Sequence, residues 1–322
     1  MKMNDQAPIK IAVLDDYVDI ARKVADWEMI SGKPEVSVFH DHLSDQEVLV
    51  ERLRPFDVIC IMRERTPITR ALIERLPNLK LIASTGPRNA AIDLEAACER
   101  SIDVVHTGYD SAPTIELTWA LILALARNIW LESASVRAGG WQTSVGFDLK
   151  GKTLGLLGLG NIGSRVAEIA KAFGMNVVAW SQNLTADKAA EHGATLVSKQ
   201  ALFEQSDLIS IHMILSDRTK GLVGAQELEL MKPTALLVNT SRGPIIDQSA
   251  LIRVLQEKKI GGAALDVFEQ EPLPAEHTFR KLDNVLATPH IGYCSESLYK
   301  TFYRDSVSNI DNWIKSKSSH SV

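Results

Sequence analysis

Three polar residues in the second half of the chain could together act on a small anion: Arg242, Glu271 and His290. Each follows an apolar run that reads as a buried strand: Ala235 to Thr240, Gly262 to Val267 and Val285 to Thr288. Histidine exchanges a proton near neutral pH. A carboxylate beside it orients the ring and favours its charged form. Arginine stays charged and can grip a carboxylate with two parallel hydrogen bonds. Each residue also has a plainer reading: Arg242 as a surface cation, His290 as a satisfied core histidine, and Glu271 as a solvated turn residue with Glu269 close by.

A partner for this set is written in Thr153 to Ser181. A short apolar run ends at Leu157. Gly158, Gly160 and Gly163 follow as GxGxxG, within GLGNIG. A helical pattern then carries Ile162, Val166, Ile169, Ala170 and Phe173 on one face. Gly174 ends it, and Asn176 to Trp180 reads as a second strand. Strand, glycine turn, helix and strand within about 30 residues form the dinucleotide-binding βαβ unit. Gly158 allows the tight turn, Gly160 lets backbone approach a pyrophosphate, and Gly163 lets helix and strand pack closely. The pyrophosphate would lie on the helix amino terminus at Gly160, Asn161, Ile162 and Gly163. A bound nicotinamide, a proton-transfer group and an acid clamp together suit hydride transfer at a 2-hydroxy or 2-oxo acid.

Stepping outward, the same alternation recurs along the chain. Apolar runs at Ile9 to Leu14, Val36 to Phe39, Asp57 to Met62, Leu79 to Ala83 and Asp103 to His106 alternate with helical patterns. The helices are expected at Val18 to Ile30, Asp45 to Leu53 (capped by Ser44), Thr69 to Leu76 and Leu94 to Arg100. Near-continuous apolar strands mean parallel sheets covered on both faces. Pro113 to Ile129 is apolar all round and reads as a helix buried between two domains. Arg137 to Gly146 reads as a loop that reaches a neighbouring subunit. Alternation resumes after the glycine unit, and an amphipathic helix over Ser295 to Lys315 is expected to return to the first domain. A polar tail, Lys315 to His320, follows. The expected organisation is therefore two doubly wound α/β domains. A discontinuous flavodoxin-like substrate domain takes 1–112 and 296–322, and a Rossmann domain takes 113–295.

Ligands bind outside the carboxyl ends of strands in such sheets. In the second domain those places hold Ser181, His212, Thr240, Ser241, Arg242, Asp266, Glu269 to Glu271 and His290. His212 is expected to lie near the cofactor through its backbone, and Thr118, on the long helix, to face the nicotinamide. His40, His42, His106, His192, His277 and His320 read as structural or solvated.

Composition bounds the function. The 322 residues are 45% hydrophobic and 23% charged, as in an ordinary globular protein of two domains. A net charge of −5 argues against nucleic acid as the main partner. No apolar run reaches the ~18 residues of a membrane span, and MKMNDQAPIK lacks the apolar core of a signal peptide. Cys60, Cys98 and Cys294 are scattered, which fits a reducing compartment and no cysteine-held metal. The expectation is a cytoplasmic protein without a metal.

Here the chain resembles a known family. GLGNIG, NTSRG (Asn239 to Gly243), LDVFEQEP (Leu265 to Pro272) and TPHIG (Thr288 to Gly292) occur in order over about 140 residues. They look like the motifs of the D-isomer-specific 2-hydroxyacid dehydrogenases. TPITRALIERLPNLKLIASTG and IELTWALILALAR extend the likeness into the first domain. The resemblance implies Arg242 as substrate clamp, His290 as acid/base, Glu271 as its partner and Asp266 beside the nicotinamide. It also implies NAD or NADP as cofactor, a small 2-hydroxy or 2-oxo acid as substrate, and a homodimer.

Two places depart from the family. An acidic residue that would hold the ribose of NAD is replaced by Ser181, with Gln182 and Asn183 after it, so NAD is favoured only slightly over NADP. The substrate loop is Thr85-Gly86-Pro87-Arg88-Asn89, where Pro87 has no N–H to offer. Arg88 is expected to contact the acid end of the substrate, with Gly86 beside it. Narrower readings are a hydroxypyruvate/glyoxylate reductase or a 3-phosphoglycerate dehydrogenase, the latter without a separate regulatory domain after Val322. A reading from another class is a non-catalytic NAD(H)-sensing protein like the co-repressors built on this fold.

Overall fold

The computed structural model describes residues 7–319. The first six residues of the amino-terminal segment and His320 lie outside them. The chain divides into two compact units, Met1–Asp110 with Cys294–Val322, and Ser111–Tyr293.

In the first unit five strands, β1 (Lys10–Val13), β2 (Glu35–Val38), β3 (Val58–Ile61), β4 (Leu81–Ser84) and β5 (Asp103–His106), form one sheet. All pairs are parallel, in the order β2-β1-β3-β4-β5. This is the flavodoxin-like order. β3 and β4 are buried throughout, as the apolar run of β3 and the largely apolar run of β4, which ends in Ser84, require.

The second unit holds β6 (Thr153–Leu157), β7 (Asn176–Trp180), β8 (Thr195–Leu196), β9 (Leu208–Ile211), β10 (Leu236–Asn239), β11 (Gly262–Leu265) and β12 (Val285–Ala287). The order is β12-β11-β10-β9-β6-β7-β8. Two strands wind one way from β6 and the rest wind the other, which is the Rossmann arrangement. β9, β10 and β11 are fully buried. Burying each Leu or Ile contributes about 1.5–3 kcal/mol. Helix Asn161–Ala172 turns Val166, Ala167 and Ala170 into the core.

One consequence of the register matters for the site. Trp180 pairs with Leu157, Leu157 with Ile211, Ile211 with Asn239, Asn239 with Leu265, and Leu265 with Ala287. These six residues make one row across the sheet. Ser181, Gly158, His212, Thr240, Asp266 and Thr288 each follow a member of that row, so they come abreast at the carboxyl edge.

Several local expectations are corrected. Val18 to Ile30 is not one helix. The Asp16 carboxylate accepts from the Ile20 and Ala21 amides at 3.0 and 2.9 Å and starts a single turn, Ala21–Val24. Ala25 is then extended, and Asp26 caps a second short turn, Trp27–Met29. Trp27 is buried and its indole N–H donates to the Ala21 carbonyl at 3.0 Å, which a straight helix would not allow. Helix Gln46–Leu53 is capped by Asp45, whose carboxylate accepts from the Glu47 and Val48 amides, and not by Ser44. Thr69 caps a helix of only four residues, Arg70–Ile73. The long apolar helix runs Ala112–Ala126 and stops because Asn128 is left-handed. A second helix, Ile129–Arg137, follows and takes the start of the expected loop. The last helix runs Glu296–Ser319, so most of the expected polar tail is helical. No single described helix is long and apolar enough to cross a membrane. The pair Ala112–Ala126 and Ile129–Arg137 meets the length and composition together but is bent by 66°.

Candidate active site

The glycine turn shows three different reasons for glycine. Gly158 has φ +102°, and a Cβ there would stand 2.5 Å from the His212 carbonyl oxygen. A Cβ at Gly163 would stand 2.2 Å from the Gly158 carbonyl oxygen, so helix and turn touch through backbone alone. Gly160 has open space where its Cβ would be. It precedes helix Asn161–Ala172 and supplies no side-chain cap. The first amides of a helix lack internal partners. A backbone cradle open at Gly160, with the positive end of a twelve-residue helix behind it, fits a pyrophosphate.

His212 follows β9, and its amide donates to the Leu157 carbonyl at 2.8 Å. Its Nε2 lies 2.9 Å from Ser210 Oγ. Burial pushes its pKa down to about 4, so it is neutral at pH 7. Ser181 is half-buried after β7, with Gln182 and Asn183 exposed beyond it.

After β10 the fully buried Asn239 organises the turn. Its Oδ1 accepts from the Ser241 amide at 3.0 Å and its Nδ2 donates to the Arg242 carbonyl at 3.0 Å. Ser241 Oγ donates to the Met213 carbonyl. Arg242 Nη1 donates to the Ser241 carbonyl at 2.7 Å. Thr240 Oγ1 lies 2.8 Å from Oγ1 of the fully buried Thr118, which donates to the Thr114 carbonyl. Gly243 is pressed onto the next strand's loop: a Cβ there would lie 2.1 Å from the Phe268 carbonyl carbon. That contact registers the Arg242 segment against the Glu271 segment.

Glu271 bridges two elements. Its Oε1 accepts from the Phe268 amide at 2.8 Å, and its Oε2 lies 2.5 Å from His290 Nδ1. Their side chains are 31% and 18% exposed, so the pair is largely shielded. A carboxylate only accepts, so Nδ1 carries the proton, and in the neutral ring Nε2 is the nitrogen that can accept one. Glu269, two positions earlier, is exposed. His290 has φ +52°, a left-handed backbone that costs about 1–3 kcal/mol outside glycine and that clusters at functional sites.

Asp266 is fully buried, and its carboxylate is taken up by the loop that carries His290. It accepts from Thr288 Oγ1 at 2.6 Å and from the Ile291 and Gly292 amides at 2.8 Å each. Burial pushes its pKa up, against those three donors. Thr114 Oγ1 donates to the Gly292 carbonyl at 3.0 Å and closes the same loop.

In the first unit Gly86 has φ +81°, and a Cβ there would meet the Arg63 guanidinium at 1.7 Å. Arg88 is exposed. Arg63 was missed by the sequence reading. It follows β3, and the strand-end rule applied to this unit would have named it. Its Nη1 donates to the Thr85 carbonyl at 3.2 Å and its Cζ sits 5.3 Å from the Tyr109 ring centroid. Tyr293 was not singled out either, since it lies just beyond TPHIG, and Gly243 was read only as part of NTSRG. Among the other histidines, His42 Nδ1 contacts the buried Asp15 carboxylate at 2.9 Å, and His277 caps a short turn.

Comparison with known proteins adds four findings. The family described as D-isomer specific 2-hydroxyacid dehydrogenase, NAD binding domain, matches residues 119–292. A glyoxylate reductase of Thermococcus litoralis is 42% identical over 255 residues, 76% of this chain and 76% of that protein. A D-3-phosphoglycerate dehydrogenase of Methanocaldococcus jannaschii is 38% identical over 300 residues, 91% of this chain but 55% of that longer protein. A crystal structure described as a phosphoglycerate oxidoreductase from Vibrio cholerae superposes with a TM-score of 0.91 at 38% identity, covering 96% of this chain and 99% of that one.

Proposed function

We propose, from the premise that this chain belongs to the D-isomer specific 2-hydroxyacid dehydrogenase family, that it interconverts a D-2-hydroxy acid and its 2-oxo acid. The observation that carries this reading is the Glu271–His290 contact, at 2.5 Å and shielded, beside strand ends that also bear Arg242 and the glycine cradle. When bound, the nicotinamide cofactor supplies or accepts the hydride equivalent. Gly158, Gly160, Asn161, Ile162 and Gly163 would hold its pyrophosphate, and Ser181 would stand at the ribose. His212, Thr240, Ser241, Asp266 and Thr118 complete the wall, chiefly through the backbone they position.

Arg242 clamps the substrate carboxylate and polarises the neighbouring carbonyl. His290 protonates the carbonyl oxygen during reduction and takes the hydroxyl proton during oxidation. Glu271 holds Nδ1–H throughout, so Nε2 is the nitrogen that exchanges. Proton transfer of this kind is worth roughly 10²–10⁴-fold. In the first unit, Gly86 and Arg88 contribute to the substrate's acid end.

NAD is the cofactor this reading takes first, and NADP is accepted too, because Ser181 does not repel a 2′-phosphate. Glyoxylate and hydroxypyruvate lead the candidate substrates, with 3-phosphoglycerate beside them. A homodimer is supported by Trp141 and Val145, which are 79% and 91% exposed in the segment after Ile129–Arg137. Three free cysteines and a nicotinamide-dependent reaction support a cytoplasmic setting. The test is nicotinamide absorbance on mixing the protein with NADH or NADPH and a panel of 2-oxo acids. Turnover supports the proposal. Tight cofactor binding with no turnover on any acid would favour a sensor instead.

A further inference from the structure

We infer that Tyr293 is a positioning residue for the His290 imidazole; this rests on the acid–base role just proposed for His290. Glu271 fixes one ring nitrogen, Nδ1, at 2.5 Å. The Glu271 bond by itself does not fix rotation of the ring about the Nδ1···Oε2 line, and such rotation would swing Nε2 away from the reacting oxygen. Tyr293 closes that freedom. Its ring stands nearly edge-on to the imidazole, with centroids 5.5 Å apart and planes at 74°. This is a preferred geometry for an aromatic pair. The tyrosine is itself only 4% exposed, so it is a packed wall and not a mobile flap.

The backbone ahead of it is pinned as well. Asp266 holds the Ile291 and Gly292 amides, and Thr114 holds the Gly292 carbonyl. A Cβ at Gly292 would come within 3.2 Å of Asp266 Oδ2, so the loop cannot easily shift there. The same loop gives His290 its left-handed φ of +52°. The imidazole is thus held by a carboxylate on one nitrogen and an aromatic ring at its side, both on rigid supports. Displacement of a reacting group by about 1 Å can cost on the order of 10²-fold in rate. Tyr293 therefore governs kcat and leaves substrate binding to Arg242.

The experiment compares Tyr293→Phe, Tyr293→Leu and His290→Gln in the full chain, with NADH and glyoxylate. Tyr293→Phe keeps the ring and is expected within about twofold of the unsubstituted kcat. Tyr293→Leu is expected to lose about tenfold or more in kcat, with KM within about threefold. Its primary isotope effect with NADH deuterated at C4 should rise as chemistry becomes slower. Tyr293→Met gives the same comparison should the leucine variant not fold. A readout independent of turnover uses the unsubstituted, cofactor-free protein. Aromatic NMR should show through-space contacts between the Tyr293 ring and His290 ring protons identified by their loss in His290→Gln. Absence of those contacts overturns the inference. So does an unchanged kcat in Tyr293→Leu, or an equal loss in Tyr293→Phe. Were His290→Gln to keep full turnover, the acid–base reading would fall with it. An inactive His290→Gln beside a fully active Tyr293→Leu removes only the role of Tyr293.

Discussion

Replacing Glu271 by Gln removes one charge and keeps the length of the side chain. Both carboxylate oxygens are engaged, Oε1 with the Phe268 amide at 2.8 Å and Oε2 with His290 Nδ1 at 2.5 Å. A glutamine that keeps its oxygen on the Phe268 donor must turn its NH₂ toward Nδ1. Nδ1 then becomes the acceptor and the imidazole proton moves to Nε2, so the doubly protonated ring that gives a proton during reduction loses its partner at Nδ1, and the neutral ring cannot take a proton at Nε2 during oxidation. The alternative orientation aims NH₂ at the Phe268 N–H and loses that bond. The charge-assisted bond alone is worth about 1.5–3 kcal/mol, because the pair is shielded enough to escape the discount on surface ion pairs. At ~1.4 kcal/mol per decade this is roughly 10–150-fold. The wrong tautomer raises the expected loss in kcat/KM to roughly 10²–10⁴-fold. The assay is nicotinamide absorbance at pH 7 with glyoxylate, on protein whose thermal unfolding midpoint is checked against the unsubstituted chain. A folded Glu271→Gln variant within tenfold of the original kcat/KM would refute the reasoning.

Other changes test other parts of the site. Gly243→Ala places a methyl 2.1 Å from the Phe268 carbonyl carbon, so backbone must move. It should cost about 1–3 kcal/mol in urea unfolding and most of the turnover. Arg242→Lys replaces a planar two-bond clamp by a point charge and should lower kcat/KM by about 10²-fold, seen in KM as well as kcat. His212 has its pKa depressed from 6.5 to about 4. The unfolded chain therefore binds a proton that the folded chain refuses, and stability falls as pH drops from about 6.5 toward 4. The contribution is at most about 3 kcal/mol. His212→Gln should flatten that acid limb in urea unfolding at pH 4.5 and 7, and an unchanged limb would show that His212 is not its source.

Much of the fold could be read directly because parallel strands buried on both faces are written as near-continuous apolar runs, as in Val58–Ile61 and Gly262–Leu265. The glycine turn was legible for a different reason: Gly158 and Gly163 sit where any Cβ would strike a carbonyl oxygen, so spacing alone marks them. Short helices were harder. Asp16 and Asp26 each start a turn within Val18 to Ile30, and only the burial of Trp27 decides between two turns and one helix. The choice of Glu271 over Glu269 rested on the family likeness of LDVFEQEP alone, since both are carboxylates on one loop; in the structure the Glu271 carboxylate is the one at 2.5 Å from the imidazole. Arg63 follows a strand and could have been read from its place, but its approach to Gly86 depends on the fold, and the edge-on packing of Tyr293 against His290 depends on two side-chain orientations that spacing does not encode.

In the proposed reaction an imidazole held by Glu271 and a guanidinium from Arg242 act on a 2-oxo acid at the carboxyl edge of a nicotinamide-binding sheet. The decisive test is chiral chromatography of the product formed from pyruvate or hydroxypyruvate while NADH is consumed. The expected product is the D-2-hydroxy acid, mole for mole with NADH oxidised. Formation of the L-isomer, or no product from any acid with the cofactor demonstrably bound, would contradict it.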